Sequence, residues 1–130
     1  MALTMKVSGS VRNDLVLCEN DSGAKVTAGG EGPSAMELLL MAVVGCSGAT
    51  LKAIMGRDGL TPEAIDIKAE GVRSETTPKR FTDIHLHYTV SCQGLSTEKL
   101  QHYLGLTEKV CPVIQSLNVK THLTYELLNR

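Results

Sequence analysis

Tryptophan is absent from this chain, and its 130 residues hold one phenylalanine and three tyrosines. A surface that holds nucleic-acid bases by stacking needs more aromatic faces than that. Neither sign of charge is in excess, because 13 Lys and Arg stand against 14 Asp and Glu, a net charge of −1. That removes the electrostatic case for nucleic acid or for an anionic membrane surface, and neither is an expected partner. The glycines at 29, 30 and 32 form no G-x-G-x-x-G and lead into no Lys-Ser/Thr pair, so a nucleotide cofactor is not expected. The longest apolar run, Leu38 to Cys46, covers nine residues, short of the roughly 20 that a membrane span needs. Residues Met1 to Val7 lack the charged start and long apolar core of a signal peptide, which makes the cytoplasm the expected location. Cys18, Cys46, Cys92 and Cys111 stand far apart with no C-x-x-C pair, so reduced thiols are expected rather than a disulfide framework or a metal site.

What the chain does have is a single apolar helix signal. Ser34 followed by Glu37 is a capping box, and the run from Leu38 to Cys46 follows without a charge. A helix that is apolar all round is expected to be buried on every side. One chain of this length is small for that task, and an identical partner would make up the shortage.

The remaining elements follow from periodicity and punctuation. Short strands are expected over Leu3 to Val11, Leu15 to Glu19 and Ala24 to Ala28, separated by turns at Asn13-Asp14 and Asn20-Asp21-Ser22-Gly23. The helix fades near Gly56 to Gly59. Ile65, Ile67, Ala69 and Gly71 alternate with polar residues, and Ile84, Leu86, Tyr88 and Val90 alternate with Asp83, His85, His87 and Thr89. These two strands around a polar turn predict a hairpin. Ser96 opens a second helix, Cys111-Pro112 interrupts it and starts a short third one, and Val119 to Leu127 closes as a strand. The grouping is α+β, with residues 1–130 forming a single domain.

Two cysteines carry the expected chemistry. Cys46 lies toward the far end of the apolar helix, where a nearby cation such as Lys6, Arg12 or Lys25 would be needed to activate it. Cys111 lies at a helix start, where unpaired N–H groups favour a thiolate. Each has a bland alternative, a small buried hydrophobe for Cys46 and a cap neighbour for Cys111. Cys18 and Cys92 read as structural strand residues. Glu37 is accounted for by the capping box. His85 and His87 form an H-x-H with no third ligand nearby in sequence, and no metal or other cofactor is expected.

The stretch Pro33 to Ser47, the later Val110-Cys111-Pro112-Val113, and Pro78 to Tyr88 resemble the OsmC/Ohr family of hydroperoxide-handling proteins. The resemblance runs over essentially the whole chain. It implies an intertwined homodimer with two β-sheets wrapped around central helices. It further implies an organic hydroperoxide reductase in which Cys46 is peroxidatic, Cys111 is resolving, Arg12 and Glu37 activate Cys46, and an external dithiol resets the site. The chain departs from the pattern at one position: the family carboxylate lies ten residues before the cysteine, where this chain has Met36, and Glu37 lies nine before it. One residue turns a helix by about 100°. This departure points to the alternative, an OsmC-like protein that binds a small apolar ligand or senses oxidation without turnover.

Overall fold

The computed structural model describes residues 3–129, which fall into two compact units divided between Leu39 and Leu40. The architecture is α+β, with two separate three-stranded sheets and three helices among the described residues.

The first unit is an antiparallel meander of β1 (Val7–Arg12), β2 (Leu15–Asn20) and β3 (Lys25–Gly29). The expected first strand is shortened at its start. Pairing begins at Val7 opposite Asn20, and Asn20 leaves the strand for a turn in which its Oδ1 accepts the amides of Ser22 (3.1 Å) and Ala24 (2.9 Å). Leu3 to Lys6 therefore have no strand to pair with on that side. Asn13 makes the first turn at φ 56°, a left-handed conformation that Asn tolerates. Gly29 takes φ 84° where a Cβ would stand 2.5 Å from the Asp14 carbonyl oxygen, so only glycine fits that close approach.

α1 (Ala35–Arg57) begins in the first unit and continues into the second. Its start is the reciprocal cap read from the sequence: the Ser34 amide donates to Glu37 Oε1 at 2.9 Å, and the Glu37 amide donates to Ser34 Oγ at 3.1 Å. The helix is longer than its apolar run, because Thr50 to Arg57 carry it on, with the good helix formers Leu51, Lys52, Ala53 and Met55 among them. At 23 residues with mean hydropathy 1.9 over 18 of them, it is long and apolar enough to cross a membrane by length and composition. Val43, Ser47, Leu51, Ile54 and Met55 are buried in one stripe at helical spacing.

The second unit holds β4 (Ala64–Arg73), β5 (Phe81–Ser91), α2 (Thr97–Val110), α3 (Pro112–Gln115) and β6 (Lys120–Leu128). β5 is central. It pairs antiparallel with β4 as the expected hairpin, and parallel with β6 after the helical crossover. Ile84, Leu86, Tyr88 and Val90 are buried on one face of β5, as the alternation predicts. Gly71 on β4 leaves room for the Phe81 ring, which a Cβ there would strike. α1 comes down on β4 at Gly48, where a Cβ would lie 3.1 Å from Ile67 Cδ1. Cys92, expected inside a strand, lies one residue past β5 and is held by its amide on the Leu128 carbonyl at 3.1 Å.

The expectation that α1 is buried on every side is corrected within one chain. Met41 remains 55% exposed and Gly45 and Ala49 are also open, while the opposite stripe is covered. A sheet can cover only one side of a helix, and the remaining apolar surface calls for a further layer.

Candidate functional site

The Cys-Pro step fixes one side of the site. A residue before proline is driven out of the α region, and Cys111 accordingly has φ −65° and ψ 115°, ending α2 and preceding α3. Its amide donates to the Thr107 carbonyl at 2.9 Å and its carbonyl accepts from the Gln115 amide at 3.0 Å. Both backbone groups are thus tied while the side chain turns inward, with the residue 0% exposed. α2 is anchored nearby by the Tyr103 hydroxyl donating to Asp58 Oδ2 at 2.5 Å, while within the helix Thr107 Oγ1 donates to the Tyr103 carbonyl at 2.8 Å.

Cys46 supplies the other side. It is half-buried on α1, directly before the buried Ser47. Its side chain lies against Cys111, and both are free thiols. The expectation that a helix start would favour the Cys111 thiolate is overturned. Burial pushes the Cys111 thiol above its ordinary range; the backbone N–H groups of Ile114 and Val113 oppose the rise, and the adjoining Cys46 adds to it. The physical reason is scale. α3 has four residues, too few for a sizeable macrodipole, whereas removal of a thiolate from water is a full desolvation cost.

Two members of the site were not singled out from the sequence. Ser47 is fully buried, its hydroxyl turned back to the Val44 carbonyl at 3.4 Å. Tyr88 is 0% exposed on the inner face of β5. Ile67, the residue under Gly48, is the β4 partner of Tyr88, which brings the tyrosine beneath the Cys46-Ser47 turn of α1. Ser47 and Cys111 are polar neighbours of its phenol, yet Tyr88 Oη has no hydrogen-bond partner. Burial raises the Tyr88 phenol above its ordinary range, Ser47 partly opposing and Cys111 adding to the rise. The signal available in the sequence was a hydroxyl-bearing ring at an inward position of an alternating strand, where a buried hydroxyl ordinarily requires a partner.

Arg12 is the exposed last residue of β1, paired with Leu15, in the first unit. Glu37 is exposed in the same unit, and its carboxyl is held below the usual range by the Ser34 backbone amide and then the Ser34 hydroxyl. His85 and His87 lie on the outer face of β5. His85 stacks on His122 with ring centroids 4.5 Å apart, His122 Nε2 is 2.8 Å from Asp83 Oδ2, and His87 Nδ1 is 2.6 Å from Thr124 Oγ1. Among the described residues no group of three or more His, Cys, Asp or Glu side chains is arranged to hold a metal ion.

The pair of thiols sits in a fold that comparison places directly. The profile of the OsmC-like protein family matches residues 28–126. This chain belongs to the OsmC-like family. Protein YhfA of Escherichia coli K12 is 30% identical over 114 residues, covering 84% of this chain and 85% of YhfA. The crystal structure of the OsmC-like protein from Mycoplasma pneumoniae matches with TM-score 0.88 at 18% identity, over 98% of this chain and 99% of that one. The organic hydroperoxide resistance protein OhrB of Bacillus subtilis matches with TM-score 0.68 at 18% identity, over 95% and 98% of the two chains. The OsmC-like fold is thus shared with proteins named for hydroperoxide resistance.

Proposed function

We propose that this OsmC-like protein is a cytoplasmic thiol peroxidase that reduces organic hydroperoxides. The observation that carries this reading is the contact between two free thiols of unequal exposure, Cys46 half-buried and Cys111 fully buried. The more accessible sulfur suits attack on a substrate, and the enclosed one suits resolution. In the first step the Cys46 thiolate attacks the distal peroxide oxygen. The S–O bond forms as the O–O bond breaks, sulfur losing two electrons, and the alkoxide leaves as alcohol after taking a proton. In the second step Cys111 attacks the Cys46 sulfenic acid, forming the disulfide and releasing water. An external dithiol then exchanges with that disulfide and returns both thiols.

In this scheme Arg12 supplies the cation that favours the Cys46 thiolate, and Glu37 holds that cation. The uncovered apolar side of α1 is met by a second copy of the chain, giving a homodimer whose sheets wrap the central helices. These roles follow the family resemblance.

The test is intact mass and a peptide map after one equivalent of cumene hydroperoxide, then a dithiol chase. Loss of two hydrogens with a Cys46–Cys111 cross-link, reversed by the dithiol, is the expected result. Unmodified thiols, or turnover retained in Cys46→Ser, would overturn it. One observation favours a second reading, oxidation sensing or binding of a small apolar ligand without turnover. The Glu37 carboxylate is engaged by Ser34 in the helix cap. That reading expects stoichiometric oxidation with no recycling by dithiols.

A further inference from the structure

An α-helix passes each backbone N–H to the carbonyl four residues back. At the end of α2 this ladder reaches Cys111, whose amide donates to the Thr107 carbonyl at 2.9 Å. The next rung would run from residue 112 to the Glu108 carbonyl, and Pro112 has no N–H to supply it. That rung is filled from the side. Gln115 Nε2 donates to the Glu108 carbonyl at 2.9 Å, across seven positions. The Gln115 backbone amide donates to the Cys111 carbonyl at 3.0 Å. One residue thus grips both sides of the Cys-Pro step, α2 through its side chain and Cys111 through its main chain. Glu108 is itself fixed, its carboxylate accepting from Thr121 Oγ1 on β6.

We propose that Gln115 is a positioning residue for the resolving thiol, setting the angle between α2 and α3 and with it the placement of the Cys111 sulfur. The inference rests on the peroxidase reading and deepens it. Proline leaves α2 and α3 joined through one residue, Cys111, whose ψ of 115° is far from helical. Rotation at that residue swings the sulfur, which stands on the joint itself. A disulfide forms only within a narrow geometry, so wobble at the joint lowers the share of time in which Cys111 is in line with Cys46. The Gln115 bond removes that freedom from outside, since Gln115 is exposed and fills no core. Cys46 lies on α1, outside the clasp, so its own attack on peroxide does not draw on Gln115. The chemistry is unchanged: Cys111 sulfur bonds to Cys46 sulfur, and the sulfenic oxygen leaves as water with the Cys111 proton.

Two measurements on the full chain test this role. In the first, reduced protein meets one equivalent of cumene hydroperoxide with dimedone present in excess. Intact mass gives the ratio of Cys46–Cys111 disulfide to dimedone adduct, which reads the resolving step alone. Gln115→Leu matches glutamine in length and helix propensity and lacks the donor. It is expected to lower that ratio about three- to tenfold, while loss of the Cys46 thiol stays within about twofold of wild type. In the second, the dithiol is equilibrated with oxidised glutathione, which takes two electrons and two protons and becomes two molecules of reduced glutathione. The same variant is expected to move this equilibrium toward the dithiol. A ratio and an equilibrium both at wild-type values overturn the role of Gln115 and leave the peroxidase reading standing. Equal slowing of Cys46 oxidation and of resolution also overturns it, since that marks general loosening of the fold. A wild-type protein that forms the disulfide with glutathione but not with peroxide overturns the peroxidase reading, and the glutathione equilibrium of Gln115→Leu then decides the positioning role. A wild-type protein that forms no Cys46–Cys111 disulfide with either oxidant overturns both.

Discussion

Cys46 and Cys111 meet as free thiols in different settings, one half-buried on a long helix and one sealed at a Cys-Pro joint between two helices. Their inequality has a consequence for stability. The folded chain keeps Cys111 protonated at pH values where the unfolded thiol, with a pKa near 8.5, ionises. Above that pH the unfolded state binds fewer protons than the folded one, so stability falls as pH rises. Under reducing conditions the guanidinium midpoint is expected to be lower at pH 9.5 than at pH 7.5. Cys111→Ala is expected to lose part of that drop, the remainder including Cys92, whose thiol is also raised by burial. Identical pH dependence in wild type and variant would contradict this assignment.

Removal of the unpartnered phenol is expected to stabilise the fold. Tyr88→Phe leaves the ring in place and deletes a buried hydroxyl without a hydrogen bond, a gain of about 1 kcal/mol in urea unfolding. A loss of similar size would mean that the hydroxyl is satisfied in solution.

The cap at the start of α1 provides a third check. Ser34→Ala deletes the acceptor for the Glu37 amide and is expected to lower Tm by about 3–6 °C. Thermal unfolding by circular dichroism measures it, and an unchanged Tm would show that the cap adds nothing.

The contact of Gly48 with Ile67 sets how closely α1 approaches β4. Gly48→Leu forces the helix away from the sheet. It is expected to cost about 1–3 kcal/mol and to lower the yield of the Cys46–Cys111 cross-link after peroxide. A cross-link yield equal to wild type would show that the thiols do not depend on this approach.

Much of the fold was legible because local chemistry decides it. Ser34 and Glu37 form the cap their spacing specifies, Ile84, Leu86, Tyr88 and Val90 point inward as their alternation requires, and Pro112 breaks α2 where its ring must. What could not be read depends on neighbours distant in sequence. The apolar run of α1 carries no record of which side meets the sheet, so the stripe from Val43 to Met55 appears only with β4 in place. The direction of the Cys111 shift depends on its enclosure, which outweighs a helix start visible in the sequence. Tyr88 reads as core from its position, and only the surroundings of its hydroxyl mark it as polar and unfulfilled.

The parallel pairing of β5 and β6 has a kinetic meaning. Across the β4–β5 hairpin, Thr82 and Val72 bond over ten positions, whereas His87 and Thr124 meet across 37. The hairpin closes a short loop, while β6 docks only after the whole helical crossover is placed, so its pairing carries the larger loop-closure cost and comes later. Cys111 lies inside that crossover. During refolding its thiol is expected to stay open to pulse alkylation after the hairpin has formed, and to become protected in step with the docking of β6. Oxidant met by a half-folded chain would thus reach Cys111 directly, so exposure of a newly made chain to peroxide before β6 docks would damage the sulfur that the finished fold encloses.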